Sequence, residues 1–143
     1  MGDKVLQLVL DSRLDEIDRL AESIDAFCTA QGVPDAAADF TLCAEELFTN
    51  VVLHGLSGEA GHRIDIELAR RGDRIDIVII DDARAFDPTA TIFPDLDAPI
   101  ETRAIGGLGR HLVATIMDSF YYRRERNRNR VGFGRSVAEF QGW

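Results

Sequence analysis

Ala44-Glu45-Glu46-Leu47-Phe48-Thr49-Asn50, with His54 four residues further on, reads as the second half of one helix. Pro34 and Asp35 open that helix, because proline is tolerated at a first helical position, and Gly55 marks its approximate end. Phe40, Leu47, Phe48 and Val51 are its core residues. Glu46, Asn50 and His54 follow at i, i+4 and i+8, a drift of about 80° in all, so the three polar side chains are expected to share one stripe. A carboxylate beside a carboxamide suits a magnesium–phosphate site: the amide oxygen is a hard neutral ligand and the carboxylate can accept a proton. A plain solvated helix face is the competing explanation.

Outward from this helix the pattern alternates in period. Val5–Leu10 reads as a strand with Leu6, Leu8 and Leu10 on one face. Ser12 and Asp15 then resemble a capping box, ahead of Leu14, Ile17, Ala21, Ile24 and Cys28 at helical spacing up to Gly32. On the other side, Ile64, Ile66 and Leu68, then Ile75, Ile77 and Ile79, alternate with polar residues around a turn at Gly72-Asp73. Residues 82–105 carry Pro88, Pro94 and Pro99 without periodicity and are expected to form a lid. A third helix is expected from Gly107 to about Asp118, burying Leu112, Val113, Ile116 and Met117, followed by strands at 120–126 and 131–140. The order predicts one domain over residues 1–143: an α/β two-layer sandwich, its sheet mixed but mostly antiparallel, with helices on one face.

Two further motifs carry chemistry. Ile79-Ile80-Asp81-Asp82-Ala83-Arg84-Ala85-Phe86-Asp87-Pro88 ends an apolar strand in an acidic pair. A strand-end aspartate can accept a hydrogen bond from an adenine amino group in an otherwise apolar pocket, although such residues also serve as plain turn formers. Gly106-Gly107-Leu108-Gly109-Arg110-His111 places glycines at a helix start, where free amides and the helix dipole favour an anion such as phosphate. It is neither the dinucleotide fingerprint nor a P-loop, and a glycine-rich hinge is its ordinary alternative.

The net charge of −9 argues against a general nucleic-acid binder. The five arginines within 123–130 run against that charge and read as a solvated hairpin or a surface for an acidic partner. Cys28 and Cys43 are expected to be reduced, and His54, His62 and His111 lack metal-ligand spacing, so no structural zinc is expected. No apolar run reaches membrane-spanning length, and the start lacks a signal-peptide plan, which predicts a cytoplasmic protein.

In order and wording the motifs resemble the ATP-binding domain of the gyrase/histidine-kinase superfamily (the Bergerat fold), and within it the anti-sigma-factor serine kinases. Points of detail are Phe86-Asp87-Pro88, Gly106-Gly107-Leu108-Gly109 with His111-Leu112-Val113, Met117-Asp118 and Asn129-Arg130-Val131; the likeness spans roughly residues 5–140. It implies ATP and Mg²⁺ as cofactors, with Asn50 on the magnesium and Glu46 as general base toward an acceptor serine. Asp81 would read adenine. Gly106, Gly107, Leu108 and Gly109 would lie along the phosphates, with Arg110 and His111 close by and Ala83 and Ala85 in the adenine motif. The implied partners are a sigma factor, which is sequestered, and a STAS-type anti-sigma antagonist, which is phosphorylated; a homodimer is implied as well.

Two departures stand out. The adenine motif of the family usually carries glycine where this chain has Ala83, and glycine or proline where it has Ala85. A positive φ at Ala83 would cost on the order of 1 kcal/mol, about tenfold in nucleotide affinity, and its methyl would narrow the base pocket. Arg110 stands where smaller or apolar residues are common, and either contacts phosphate or faces water. A non-catalytic, partner-binding switch of the same fold is therefore the alternative to a kinase. A two-component histidine-kinase domain is a weaker third reading.

Overall fold

The computed structural model describes residues 3–90 and 107–137, and for 107–110 the backbone alone. Strand β1 (Lys4–Asp11) is followed by a 3₁₀ turn (Leu14–Glu16) and helix α1 (Ile17–Ala30). A second 3₁₀ turn (Pro34–Ala36) leads into α2 (Ala37–Asn50), which continues as a π turn over Val51–Gly55. Strands β2 (Arg63–Arg71) and β3 (Arg74–Asp81) form a hairpin. Helix α3 (Gly107–Ile116) precedes the hairpin of β4 (Ser119–Glu125) and β5 (Arg128–Ser136).

The sheet order is β1-β2-β3-β5-β4, and every pairing among the described strands is antiparallel. The expected mixed character is thus absent here, for a reason of connectivity. Two helices separate β1 from β2, so the chain crosses the sheet twice and returns in the opposite direction. Among the described residues one helix, α3, lies between β3 and β4; these two strands run the same way because β5 lies between them and opposes both.

Alternation decides which face the helices cover. Ile64, Ile66 and Leu68 on β2, Ile75, Ile77 and Ile79 on β3, and Phe133 on β5 are almost fully buried. Each such side chain contributes roughly 1.5–3 kcal/mol relative to exposure. Against them lie Leu20, Ile24 and Cys28 of α1 and Phe40, Leu47 and Phe48 of α2. Helix α2 contacts both α1 and α3, which makes it the central helix. Phe40 stacks on Phe133 with ring centroids 6.5 Å apart. The opposite face presents Arg63, Asp65, Glu67 and Arg71, bridged by pairs such as Arg128–Asp65 at 2.6 Å. Among the described residues no helix is long and apolar enough to cross a membrane.

Several local expectations change. Ser12 caps no helix: its hydroxyl donates to the Glu59 carbonyl (2.7 Å) and accepts the His62 N–H (3.1 Å), tying the end of β1 to the loop before β2. Glu16 reaches back instead, its carboxylate accepting the Asp11 N–H at 2.9 Å. Helix α1 ends as expected at Gly32, φ +78°, where the Val33 N–H bonds back to Cys28 O. At the β2–β3 turn Gly72 has φ +61°, the left-handed angle a two-residue hairpin requires. Leu112 is 38% exposed, whereas Val113 and Met117 are buried. The arginine-rich segment does form a hairpin, with Arg126 and Asn127 both at positive φ in its turn. Of the expected lid, residues up to Ala90 are described; 91–106 lie outside the described residues, as do 138–143.

Candidate active site

The strand period that buries Ile75, Ile77 and Ile79 carries Asp81 onto the same, helix-covered face, opposite Asn129 in the β3–β5 register. Above this pair the end of α2 and its π turn leave a narrow cleft, about 420 Å³ when the solvent space at its open mouth is counted. Leu47, Val51, Ile79 and Val131 form apolar walls, Ala83, Arg84, Phe86 and Pro88 form the lip, and Asn50, Asp81 and Asn129 supply polar groups. An apolar slot with few polar groups has the composition of a small-ligand site.

Asp81 is only 1% exposed. One carboxylate oxygen accepts the Ala83 N–H (2.9 Å) and the Asn129 side-chain amide (3.0 Å). The other has no hydrogen-bond partner among the described residues. Burial pushes the Asp81 carboxyl above its ordinary value, opposed by the Asn129 and Ala83 bonds. A buried acceptor without a partner costs about 1–3 kcal/mol, which a ligand N–H donor in the cleft would remove. An exocyclic amino group such as that of adenine is such a donor, so the residues present fit the base that the resemblance implies.

Asn129 is the polar residue the sequence reading left without a role. Its amide nitrogen donates to Asp81, to Arg84 O (2.9 Å) and to Ala83 O (3.3 Å). Its oxygen accepts from Tyr122 Oη (2.8 Å) and Arg124 Nη1 (3.1 Å). Arg124 also donates to the Ala83 carbonyl at 2.7 Å. The 81–84 turn is therefore held from below by side chains distant in sequence. Only the strand register could have revealed this, because nothing near Asn129 marks it as a partner of Asp81.

Of the motif residues on α2, Asn50 faces the cleft together with Leu47 and Val51, two of the expected core residues. Magnesium takes oxygen ligands, keeps several waters and leans on substrate phosphates, so the neutral amide oxygen of Asn50 is compatible with that ion as one ligand among these. No group of three or more metal-ligating side chains occurs among the described residues. Glu46 is half-buried one turn before Asn50 and has no hydrogen bond or ion pair among the described residues. His54 is exposed, does not line the cleft, and lies in the π turn, whose wider winding breaks the i, i+4 phase.

Ala83 does not adopt a left-handed backbone: among the described residues the non-glycine residues at positive φ are Ser57, Arg126 and Asn127. The condition under which Ala83 would be strained is therefore not met. Ala85 is exposed and outside the cleft wall, and so is His111. Gly106 lies outside the described residues, while Gly107, Leu108, Gly109 and Arg110 form the first turn of α3. Cys28 and Cys43 are free thiols, both pushed up to about 11 by burial, as inert core cysteines are.

Residues 10–134 match the histidine kinase-like ATPase domain family. Serine-protein kinase RsbW of Listeria monocytogenes serovar 1/2a is 31% identical over 130 residues, 85% of this chain and 82% of that protein. Serine-protein kinase RsbW of Listeria innocua serovar 6a is 30% identical over the same coverage. Serine/threonine-protein kinase BtrW of Bordetella bronchiseptica is 34% identical over 86 residues, and the matched stretch is 59% of each chain.

Proposed function

The chain belongs to the anti-sigma-factor serine kinase family of the histidine kinase-like ATPases, and on that premise we propose that it is an ATP- and Mg²⁺-dependent serine kinase acting on a protein. The observation that carries this reading is buried Asp81, one of whose oxygens has no partner among the described residues, in a cleft that Asn50 shares.

Asp81 accepts the adenine amino hydrogen, and the apolar walls exclude water from the base. Asn50 would hold the magnesium through its amide oxygen. ATP with its magnesium supplies an electrophilic γ-phosphorus when bound. Glu46 takes the proton of the acceptor serine as the serine oxygen bonds to that phosphorus and the bond to the ADP oxygen breaks. The first turn of α3 offers amides and a dipole to the phosphates. Partners follow the family likeness: a STAS-type antagonist as phosphoryl acceptor and a sigma factor as the sequestered protein, bound by a cytoplasmic homodimer. The non-catalytic switch drew its support from Ala83 and Ala85, and the backbone at Ala83 lends it none.

Calorimetry with ADP and magnesium, followed by transfer of label from ATP to STAS-domain proteins, tests the proposal. The parent is expected to bind and to label serine. Glu46→Gln is expected to bind ADP as the parent does while transfer falls by about 10²-fold or more. Undiminished transfer by that variant would remove Glu46 from the chemistry, and no ADP heat from the parent would favour the switch.

A further inference from the structure

Gly55 and Ala83 meet across the mouth of the cleft, one on the π turn that ends α2 and the other on the turn after β3. A methyl built on Gly55 would stand 2.9 Å from the Ala83 methyl, closer than real side chains approach. Both atoms are fixed directly to backbone, so no rotamer change could relieve the contact.

Neither backbone is free to retreat. Ala83 is held at both ends of its peptide unit, its N–H by Asp81 and its carbonyl by Arg124 and Asn129. On the other side, the Leu56 N–H bonds to Val51 O (2.8 Å) and the Gly58 N–H to Val52 O (2.7 Å), which winds the turn tightly around Gly55. The space between them admits one methyl, and in this chain Ala83 provides it. Position 83 is also where the sequence departs from the glycine usual in the family.

We infer that Gly55 is a positioning residue for the nucleotide cleft: its missing side chain is the counterpart of Ala83, and the pair acts as one unit that sets the gap between the end of α2 and the Asp81 turn. The alanine at 83 is then accommodated by a glycine across the cleft, and it need not narrow the pocket as the sequence alone suggested. The gap governs how far Asn50, on α2, stands from Asp81, on β3. This inference rests on the proposed nucleotide binding for its functional part, though not for its packing part.

The test is a double-mutant cycle on the full chain, read by melting of the apo protein and by ADP–Mg²⁺ calorimetry. Gly55→Ala overpacks the contact and is expected to lower the melting temperature by several degrees and ADP affinity about tenfold. Ala83→Gly removes a packed methyl and is expected to weaken both more mildly. The double variant moves the methyl across the gap, and is expected to recover most of the Gly55→Ala loss on both readouts. Additive losses in the melting cycle would overturn the pair. Recovery of melting without recovery of ADP affinity would overturn its role in the cleft. A parent that binds no ADP yet shows coupling in the melting cycle would refute nucleotide binding, and the functional part with it, while upholding the packing.

Discussion

Asp81→Asn separates recognition from stability. Asparagine has nearly the shape of aspartate, so its single side-chain oxygen can take over the bonds from the Ala83 N–H and the Asn129 amide. The amide nitrogen then occupies the place of the oxygen that has no partner among the described residues, and in the proposed complex a donor would face the donor of the adenine amino group. A hydrogen bond to a charged group contributes about 1.5–3 kcal/mol, so a loss near 2 kcal/mol weakens ADP binding roughly 30-fold. The fold should not suffer. Burial raises the Asp81 carboxyl, so the folded protein holds that proton more tightly than the unfolded chain does. Stability from this group is present at low pH and is lost as pH rises through the raised value; at neutral pH the ionised carboxylate opposes folding. The variant is therefore expected to melt at or above the parent temperature at pH 7. Inosine diphosphate, with a carbonyl oxygen in place of the amino group, should lose less affinity than ADP. Calorimetry with both nucleotides and a thermal scan decide the matter. ADP binding at parental strength, or a loss accompanied by a large fall in melting temperature, would refute the reasoning.

Asn129→Ala takes one partner from buried Asp81 and one each from the part-buried Arg84 carbonyl and Tyr122 hydroxyl; denaturant unfolding should show a loss of about 1–3 kcal/mol, and an unchanged midpoint would contradict the network. Asp118 accepts the Ser136 N–H (3.0 Å) and pairs with Arg74 (2.8 Å), and these hold its carboxyl below the ordinary 3.8. Its stabilising effect is present above the unfolded-state value and disappears as pH falls through the lower folded value. Asp118→Asn should therefore melt below the parent at pH 7, with the difference closing under strongly acidic conditions; a gap that persists there would rule out the ionic origin.

Strand and helix identities were legible because alternation and helical spacing act locally. Ile64, Ile66 and Leu68, or Phe40 and Phe48, declare their inward side by period alone, and Asp81 inherits its direction from the strand it ends. What depends on pairing between distant segments was not legible. Asn129 meets Asp81 only through the β3–β5 register. Ser12 looks like a helix cap until the loop at Glu59 and His62 comes beside it. The helical stripe of Glu46, Asn50 and His54 assumed uniform winding, and the π turn after Asn50 removes that assumption. Ala83 looked strained against a family pattern, but its backbone angle and the space beside Gly55 belong to the folded chain.

The place of β5 between β3 and β4 has a consequence for biosynthesis. The sheet stays divided until the segment Arg128–Ser136 emerges from the ribosome, because β3 and β4 cannot meet without it. Until then the Asp81 carboxylate lacks Asn129, and the β3 edge stands open to pairing with other chains. A nascent chain halted before residue 128 should accordingly fail to retain nucleotide and be prone to aggregate, however complete its α1, α2 and β1–β3 segments are.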